Sequence, residues 1–136
     1  MTEQEKIIKD INNGSVMDFV VAPASDHASC LNLKGLVDYI NKKTDVKINL
    51  ILCKDYNEAI DSLIQGKSQI GWLGPYAYLE AARSGAIEQF AIGLPKGKKT
   101  TNYQSVFIVR HDSKITSIEQ IKNTRIIIGD HHSTSG

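Results

Sequence analysis

The sequence predicts an α/β fold, a three-layer sandwich with a mainly parallel sheet between two layers of helices. The first observation is that short apolar runs alternate with helical segments of about ten residues, the pattern of βαβ units. The second is that 41% of the 136 residues are hydrophobic and the net charge is +1, so the chain can bury a core. Right-handed crossovers between parallel strands then place helices on both faces of the sheet.

The N-terminal elements follow in order from this pattern. Residues 1–16 read as a polar, amphipathic leader, and the apolar run Phe19–Ala22 predicts a first strand that ends at Pro23. A turn-rich loop over residues 24–29 separates this strand from a helix. That helix is predicted from an apolar face with i, i+3, i+4, i+7 spacing: Leu33, Leu36, Val37 and Ile40. Residues 46–52 form the second strand.

The next helix carries both a start and a stop signal. Asp55-x-x-Glu58 resembles a capping box, in which Asp55 accepts from N–H groups of the first turn and Glu58 reaches back. Gly66 is placed to end the helix. Its buried face has four members: Ala59, Ile60, Leu63 and Ile64.

A third strand and a third helix meet at a proline. The strand covers residues 69–73, and its Trp72 is expected in the core. Pro75 suits the first helical position because its missing N–H would have no partner there. The helix runs over residues 76–84 and closes at Gly85.

The remaining sequence predicts three further strands and a short helix. Apolar runs at Ile87–Leu94, Tyr103–Arg110 and Arg125–Gly129 predict the strands. Thr116-x-x-Glu119 is a second capping box and predicts the start of the helix.

Composition and termini exclude several classes of function. Sixteen Lys and Arg against fifteen Asp and Glu leave no charge excess for general nucleic-acid binding. The two cysteines, Cys30 and Cys53, lack disulfide-scaffold or C-x-x-C spacing and are expected to be buried thiols. No apolar run approaches the ~18 residues of a membrane span. The acidic opening is not a signal peptide, which leaves either a cytosolic protein or an export segment outside this sequence.

Ligands of parallel sheets bind outside the carboxyl ends of the strands. The loops expected there cover residues 23–30, 53–56, 73–76 and 94–103. Tyr56 and Tyr103 lie in these loops, where a phenol can donate a hydrogen bond to an anion. The alternative for each tyrosine is a half-buried packing role.

The C-terminal segment predicts an oxyanion site. If a helix begins at Ser133, Thr134 and Ser135, their hydroxyls and the free N–H groups of its first turn converge on one point. A tetrahedral oxyanion fits that arrangement. The alternative is an ordinary Ser/Thr helix cap without a ligand.

Other catalytic and metal motifs fail on spacing. Gly93-x-x-x-Gly97-Lys98-Lys99 has one residue too few between its glycines for a P-loop, and Lys99 stands at the Ser/Thr position. There is no G-x-S-x-G elbow. His131 and His132 are adjacent and have no third ligand in their segment. We therefore predict no metal, no cofactor and no catalytic residue.

Three blocks, in this order, resemble the phosphonate-binding family. They are Ile70-Gly71-Trp72-Leu73-Gly74-Pro75-Tyr76-Ala77-Tyr78-Leu79-Glu80-Ala81-Ala82, Tyr103-Gln104-Ser105-Val106-Phe107-Ile108-Val109, and Gly129-Asp130-x-x-Ser133-Thr134-Ser135-Gly136. The resemblance extends over residues 17–136. Members are substrate-binding proteins of ABC importers for phosphonate, phosphite or phosphate-like anions. The resemblance implies a two-lobed, type II periplasmic-binding-protein fold that closes around its ligand.

By that resemblance, residues 17–102 form lobe one, residues 103–111 are a crossover strand, and residues 112–136 begin an incomplete second lobe. The ligand contacts it implies are Tyr56, Tyr103, Ser133, Thr134 and Ser135. It also implies an ABC transporter permease as partner, an extracytoplasmic location (periplasmic or lipid-anchored at the cell surface), and binding without catalysis. The uncovered sheet edges of an incomplete lobe favour a homodimer or a swapped dimer.

Two other functions stay open at this point. The same domain can serve as the ligand-sensing input of a membrane receptor or histidine kinase. An enzyme would use Ser133 or Ser135 as nucleophile with His131 or His132 as base, although neighbouring positions rarely give the required alignment.

Overall fold

The computed structural model describes residues 16–23, 27–94 and 96–134. These residues belong to two units that divide between Glu88 and Gln89. The first unit contains, in chain order, β1 (Val16–Val21), α1 (His27–Lys43), β2 (Lys47–Leu52), α2 (Tyr56–Ile64), β3 (Ile70–Trp72) and α3 (Pro75–Ala82). In the second unit, the described residues include one 3₁₀ helix, Ile118–Ile121.

Two N-terminal predictions fall largely on residues that the structure does not describe. Apart from Val16, which begins β1, the predicted leader lies outside them, and so do residues 24–26 of the predicted loop. The rest of that loop was predicted wrongly, because α1 already begins at His27.

The sheet is parallel throughout and has the order β2-β1-β3. Phe19 of β1 lies between Leu50 of β2 and Ile70 of β3, and Val21 lies between Leu52 and Trp72. Because all three strands run the same way, their carboxyl ends meet at one edge of the sheet. β1 is the central strand, and its Val20 and Val21 are only 1% exposed.

Alternate residues of β1 enter two separate cores, one on each face of the sheet. On one face the core joins the strands to α1, and its members are Phe19, Val21, Leu33, Val37 and Ile48. On the other it joins them to α2, and its members are Val20, Ala22, Cys53, Ala59 and Leu63. A parallel sheet with helices on both faces confirms the predicted α/β class.

The capping box of α2 forms as the sequence predicts. The Glu58 N–H donates to Asp55 Oδ1 at 2.8 Å, and Glu58 Oε2 accepts from the Lys54 N–H at 2.7 Å. At the other end Gly66 has a φ of +68° and donates its N–H to the Leu63 carbonyl at 3.0 Å. Glycine accommodates that left-handed conformation without a Cβ penalty, so α2 ends there.

Side-chain amides extend the hydrogen bonding of both outer strands. Asn41 of α1 accepts from the Ile48 N–H at 2.7 Å and donates to the Ile48 carbonyl at 3.0 Å. The Gln69 side chain accepts from the Asp18 N–H at 3.0 Å, while the Gln69 N–H donates to the Asp18 carbonyl at 3.2 Å. Asn41 therefore occupies part of the outer edge of β2, whereas Gln69 continues the pairing of β3 with β1.

Three residues predicted in the core are exposed: Ile64 of α2, whose exposed fraction is 37%, Trp72 and Leu36. Trp72 is 43% exposed because β3 is an outer strand and α1 packs mainly across β2, on the opposite side of β1. Leu36 is 42% exposed, since the inward face of α1 is formed by Leu33, Val37 and Ile40. Pro75 begins α3 as predicted, but the helix ends at Ala82, two residues earlier than expected.

The three C-terminal strands were predicted wrongly. Residues 87–94, 103–110 and 125–129 have no strand pairing, and their apolar side chains reach 84% exposure at Phe90 and 97% at Ile127. A strand is stable only when a neighbour accepts its backbone hydrogen bonds. The runs have the composition of buried strands, but they find no such neighbour among the described residues.

The predicted helix at Thr116 is reduced to the 3₁₀ turn Ile118–Ile121. The acceptor for the Thr116 N–H is Gln120 Oε1, at 2.6 Å, in place of a Glu119 carboxylate reaching back. Glu119 instead accepts from the Ser117 hydroxyl, which lowers the pKa of its carboxyl group. Asn123, with a φ of 65°, follows the turn and prevents its continuation as a helix.

We predict that Gly71→Ala destabilises the protein by about 1–3 kcal/mol. A Cβ at Gly71 would overlap the Leu63 side chain, whose Cδ1 lies in the buried core under α2. Gly35→Ala is the matched control, because a Cβ there meets nothing within 4 Å and Gly35 lies inside α1. The control should stabilise the protein by about 0.5–1 kcal/mol. Urea unfolding followed by circular dichroism measures both, and equal effects would contradict the packing argument.

We predict slow modification of the Cys53 thiol in the folded protein. Cys53 is buried, and burial raises the pKa of its thiol, with the negative charge of Glu58 raising it further. Only the thiolate reacts, so a disulfide reagent should react about tenfold or more slowly than in urea, measured in Cys30→Ser. Because the folded pKa is the higher one, the free energy of unfolding should fall as pH rises above about 8.5. Equal reaction rates with and without urea would contradict burial.

Candidate anion-binding site

The first part of the candidate site is the carboxyl edge of the sheet. Pairing continues one residue beyond the strands: the Cys53 N–H donates to the Val21 carbonyl at 3.0 Å, and the Ala22 N–H donates to the Trp72 carbonyl at 3.4 Å. The segments that follow β1, β2 and β3 therefore leave the sheet side by side. Three of the four predicted loops, at residues 23–30, 53–56 and 73–76, begin at this edge.

Tyr56 lies at this edge, as the first residue of α2. The capping box formed by Lys54, Asp55 and Glu58 fixes the backbone around it. The Tyr56 ring is half-buried and packs against the cores that contain Ala59 and Ile60. The side chain therefore has the packing role that the sequence left as an alternative, and its role in ligand binding stays a prediction.

A shallow depression of about 380 Å³ lies along the outer side of α2. Its lining is Lys54, Asp55, Asn57, Glu58, Asp61, Ser62, Gln65 and Lys67. Three carboxylates against two ammonium groups give this surface a net negative charge, and two of the carboxylates already cap the helix. Such a lining disfavours an oxyanion, so the depression is not the predicted site.

Tyr103 belongs to the second unit, where its side chain is 56% exposed. The residues after it do not form the predicted strand, so no regular element fixes its ring. Its assignment as a ligand contact stays a prediction, based on the family resemblance.

The serine-containing segment is organised by Asp130. Asp130 Oδ1 accepts from the His132 N–H at 2.8 Å and lies 3.1 Å from His132 Nδ1. The Asp130 carbonyl accepts from the Ser133 N–H at 3.0 Å. Together these contacts form a tight turn over residues 130–133 that leads to the Ser133 and Thr134 hydroxyls. Ser133 is half-buried and Thr134 is exposed, whereas Ser135 lies outside the described residues.

This turn changes the predicted set of donors. The sequence predicted that backbone N–H groups at the start of a helix would face the anion. The His132 and Ser133 N–H groups are instead donated to Asp130. The predicted arrangement, in which both of these N–H groups face an anion, is therefore not formed.

The contacts of Asp130 were not predicted from the sequence. The N–H of His132 lowers the pKa of the Asp130 carboxyl group, with a smaller contribution from the His132 ring, so the group is ionised at neutral pH. An Asp whose side chain accepts the N–H two residues on forms an Asx turn, a pattern that sequence alone can suggest. The D-x-x-S spacing was the available signal.

Within residues 16–23, 27–94 and 96–134, no three His, Cys, Asp or Glu side chains are grouped so that they could hold a metal ion. The described helices are all too short or too polar to cross a bilayer.

Comparison with known proteins shows which family the sequence resembles. The family model of the periplasmic substrate-binding proteins of phosphonate ABC transporters matches residues 19–136, from β1 to the end of the serine-containing segment. The chain is also similar to the phosphate-import protein PhnD of Mycolicibacterium smegmatis, with 25% identity over 103 residues. That alignment covers 74% of this chain and 32% of the relative, so it spans about a third of the relative's length.

The family match covers most of the chain and includes both the sheet and the Asp130 turn. The chain therefore belongs to the family of periplasmic substrate-binding proteins of phosphonate ABC transporters.

Proposed function

We propose that this chain is part of the extracytoplasmic solute-binding component of an ABC importer, and that its ligand is a phosphonate or phosphate-like oxyanion. The observation that carries the proposal is the family match over residues 19–136, which includes the turn that presents Ser133 and Thr134. The name of the mycobacterial relative adds inorganic phosphate to the ligands worth testing. Delivery of the ligand to a membrane permease follows from the same family membership.

Recognition in this proposal uses neutral hydrogen-bond donors. A hydroxyl that donates to an ionised oxygen makes a charge-assisted bond, which is shorter and stronger than a bond between neutral groups. A hydroxyl can also accept, so Ser133, Thr134 and the phenols of Tyr56 and Tyr103 can match a partly protonated phosphonate or phosphate. Ser135 completes the proposed set of ligand contacts.

The proposed function involves no covalent step. The enzyme hypothesis requires a histidine aligned as a base with Ser133 or Ser135. The family is a transport family, which supports binding without turnover.

The sensor hypothesis assumes the same ligand site as the importer hypothesis but a different partner. Both the family description and the name of the relative refer to transport, and neither supports a receptor or a histidine kinase. We therefore favour the importer component.

We predict that the protein binds methylphosphonate, phosphite or phosphate in calorimetry, with sulfate as the comparison anion. Thr134→Val should lower the affinity about tenfold, because it removes one charge-assisted hydrogen bond and keeps the shape of the side chain. Thr124→Val is the matched control: Thr124 is also exposed, but its hydroxyl donates to the Ile121 carbonyl at 2.7 Å, away from the serines in sequence.

The control should bind as the wild type does. Absence of heat with methylphosphonate, phosphite and phosphate alike would refute the proposed function. Equal losses in Thr134→Val and Thr124→Val would show that the effect is not specific to the Ser133–Thr134 segment.

Self-association stays a prediction and follows from the open side of the sheet. Among the described residues β3 pairs only with β1, and Trp72 on this outer strand is largely exposed. On β2, by contrast, Asn41 occupies the edge at Ile48. We expect sedimentation velocity of this chain to show a dimer that increases with concentration and weakens in Trp72→Lys. A monomer at all concentrations would contradict it.

A further inference from the structure

We propose that Asp130 is a positioning residue for the oxyanion site: its carboxylate folds the segment that carries Ser133 and Thr134 and need not touch the ligand itself. This inference rests on the proposed function, since it concerns how the same site is organised. It assigns to Asp130 a role that neither the sequence motifs nor the comparisons give it.

The geometry that carries the inference is a convergence of three contacts on one residue. Asp130 Oδ1 accepts the His132 N–H at 2.8 Å and contacts His132 Nδ1 at 3.1 Å, while the Asp130 carbonyl accepts the Ser133 N–H at 3.0 Å. These contacts fix the backbone on both sides of His132. Since Ser133 follows directly, the turn sets the direction in which its Cα–Cβ bond leaves the chain.

The residues before this turn form no strand that would hold it. The preceding residues 125–129 are not paired in a sheet, and Ile127 is 97% exposed. No neighbouring strand therefore holds the segment in place on that side within the described residues. Without the Asp130 acceptor, the segment would sample several conformations, and ordering it on binding would reduce the affinity.

The charge of Asp130 argues for a positioning role rather than a ligand contact. The carboxylate is ionised, its side chain is 43% exposed, and the neighbouring charged or titratable side chains are His131 and His132. A negative charge beside an anion site opposes binding, even when solvent weakens the interaction. A residue that contributes only its hydrogen-bond acceptor can lose the charge without loss of function.

The experiment compares four proteins by calorimetry with methylphosphonate and with inorganic phosphate: the wild type, Asp130→Asn, Asp130→Ser and Asp130→Ala. Asn keeps an oxygen acceptor without the charge, Ser keeps a shorter and weaker acceptor, and Ala keeps none. We expect Asn to bind as tightly as the wild type or more tightly, Ser to bind several-fold more weakly, and Ala to bind about tenfold more weakly.

Asp112→Ala is the matched control. Asp112 is an exposed carboxylate of the same unit that pairs with Arg110 at 2.7 Å, and its removal should leave the affinity unchanged. Thermal unfolding of each variant establishes that it is folded. If Asp130→Ala does not fold, the comparison of Asp130→Asn with Asp130→Ser tests the positioning role. Asn should preserve binding if the oxygen acceptor is what matters, and it should not preserve binding if the negative charge is what matters.

A measurement without ligand separates the two proposals. Hydrogen exchange of the His132 and Ser133 amides should be slow in the wild type and in Asp130→Asn and should accelerate about tenfold or more in Asp130→Ala. If the wild type binds neither probe but exchange follows this order, the proposed function fails while the turn is supported. If the wild type binds and Ala binds equally well, or Asn loses as much as Ala, the positioning role of Asp130 is refuted.

Discussion

The pairing of β1 with a neighbour on each side is the constraint on which the first unit depends. β1 is the one described strand with both edges paired, and it is also covered by a helix layer on each face. Its alternating residues supply Phe19 and Val21 to one core and Val20 and Ala22 to the other. Burying both faces of a parallel strand requires apolar side chains at successive positions, so the continuous run in β1 follows from its location.

Elements with local signals could be predicted from the sequence. The start of α2 depends on contacts between residues no more than four apart, Lys54, Asp55 and Glu58, and its end depends on the conformation of Gly66. Such contacts are encoded within a short window of sequence. The exposure of Trp72, by contrast, depends on which strand lies at the edge of the sheet. The order of the strands is a non-local property, and Trp72 was predicted wrongly for that reason.

The three C-terminal strands were also predicted wrongly because strand pairing is non-local. An apolar run indicates that a segment can be buried, whereas a strand also requires a partner of suitable direction and register. Residues 103–110 and 125–129 satisfy the first condition only, within the described part of the chain. Sheet pairing can join residues far apart in the chain, so the composition of one run does not show whether such a partner exists.

Some features of the candidate site could likewise be predicted from the local sequence, and others could not. The hydroxyls of Ser133 and Thr134 could be predicted from residue type, but the loss of two N–H donors to Asp130 required backbone coordinates. The capping box around Tyr56 and the Asp130 turn before Ser133 consist of hydrogen bonds between residues no more than four apart. If the proposed oxyanion binds the Ser133–Thr134 segment, it meets a turn that is already ordered, and its binding energy is not consumed in folding that turn.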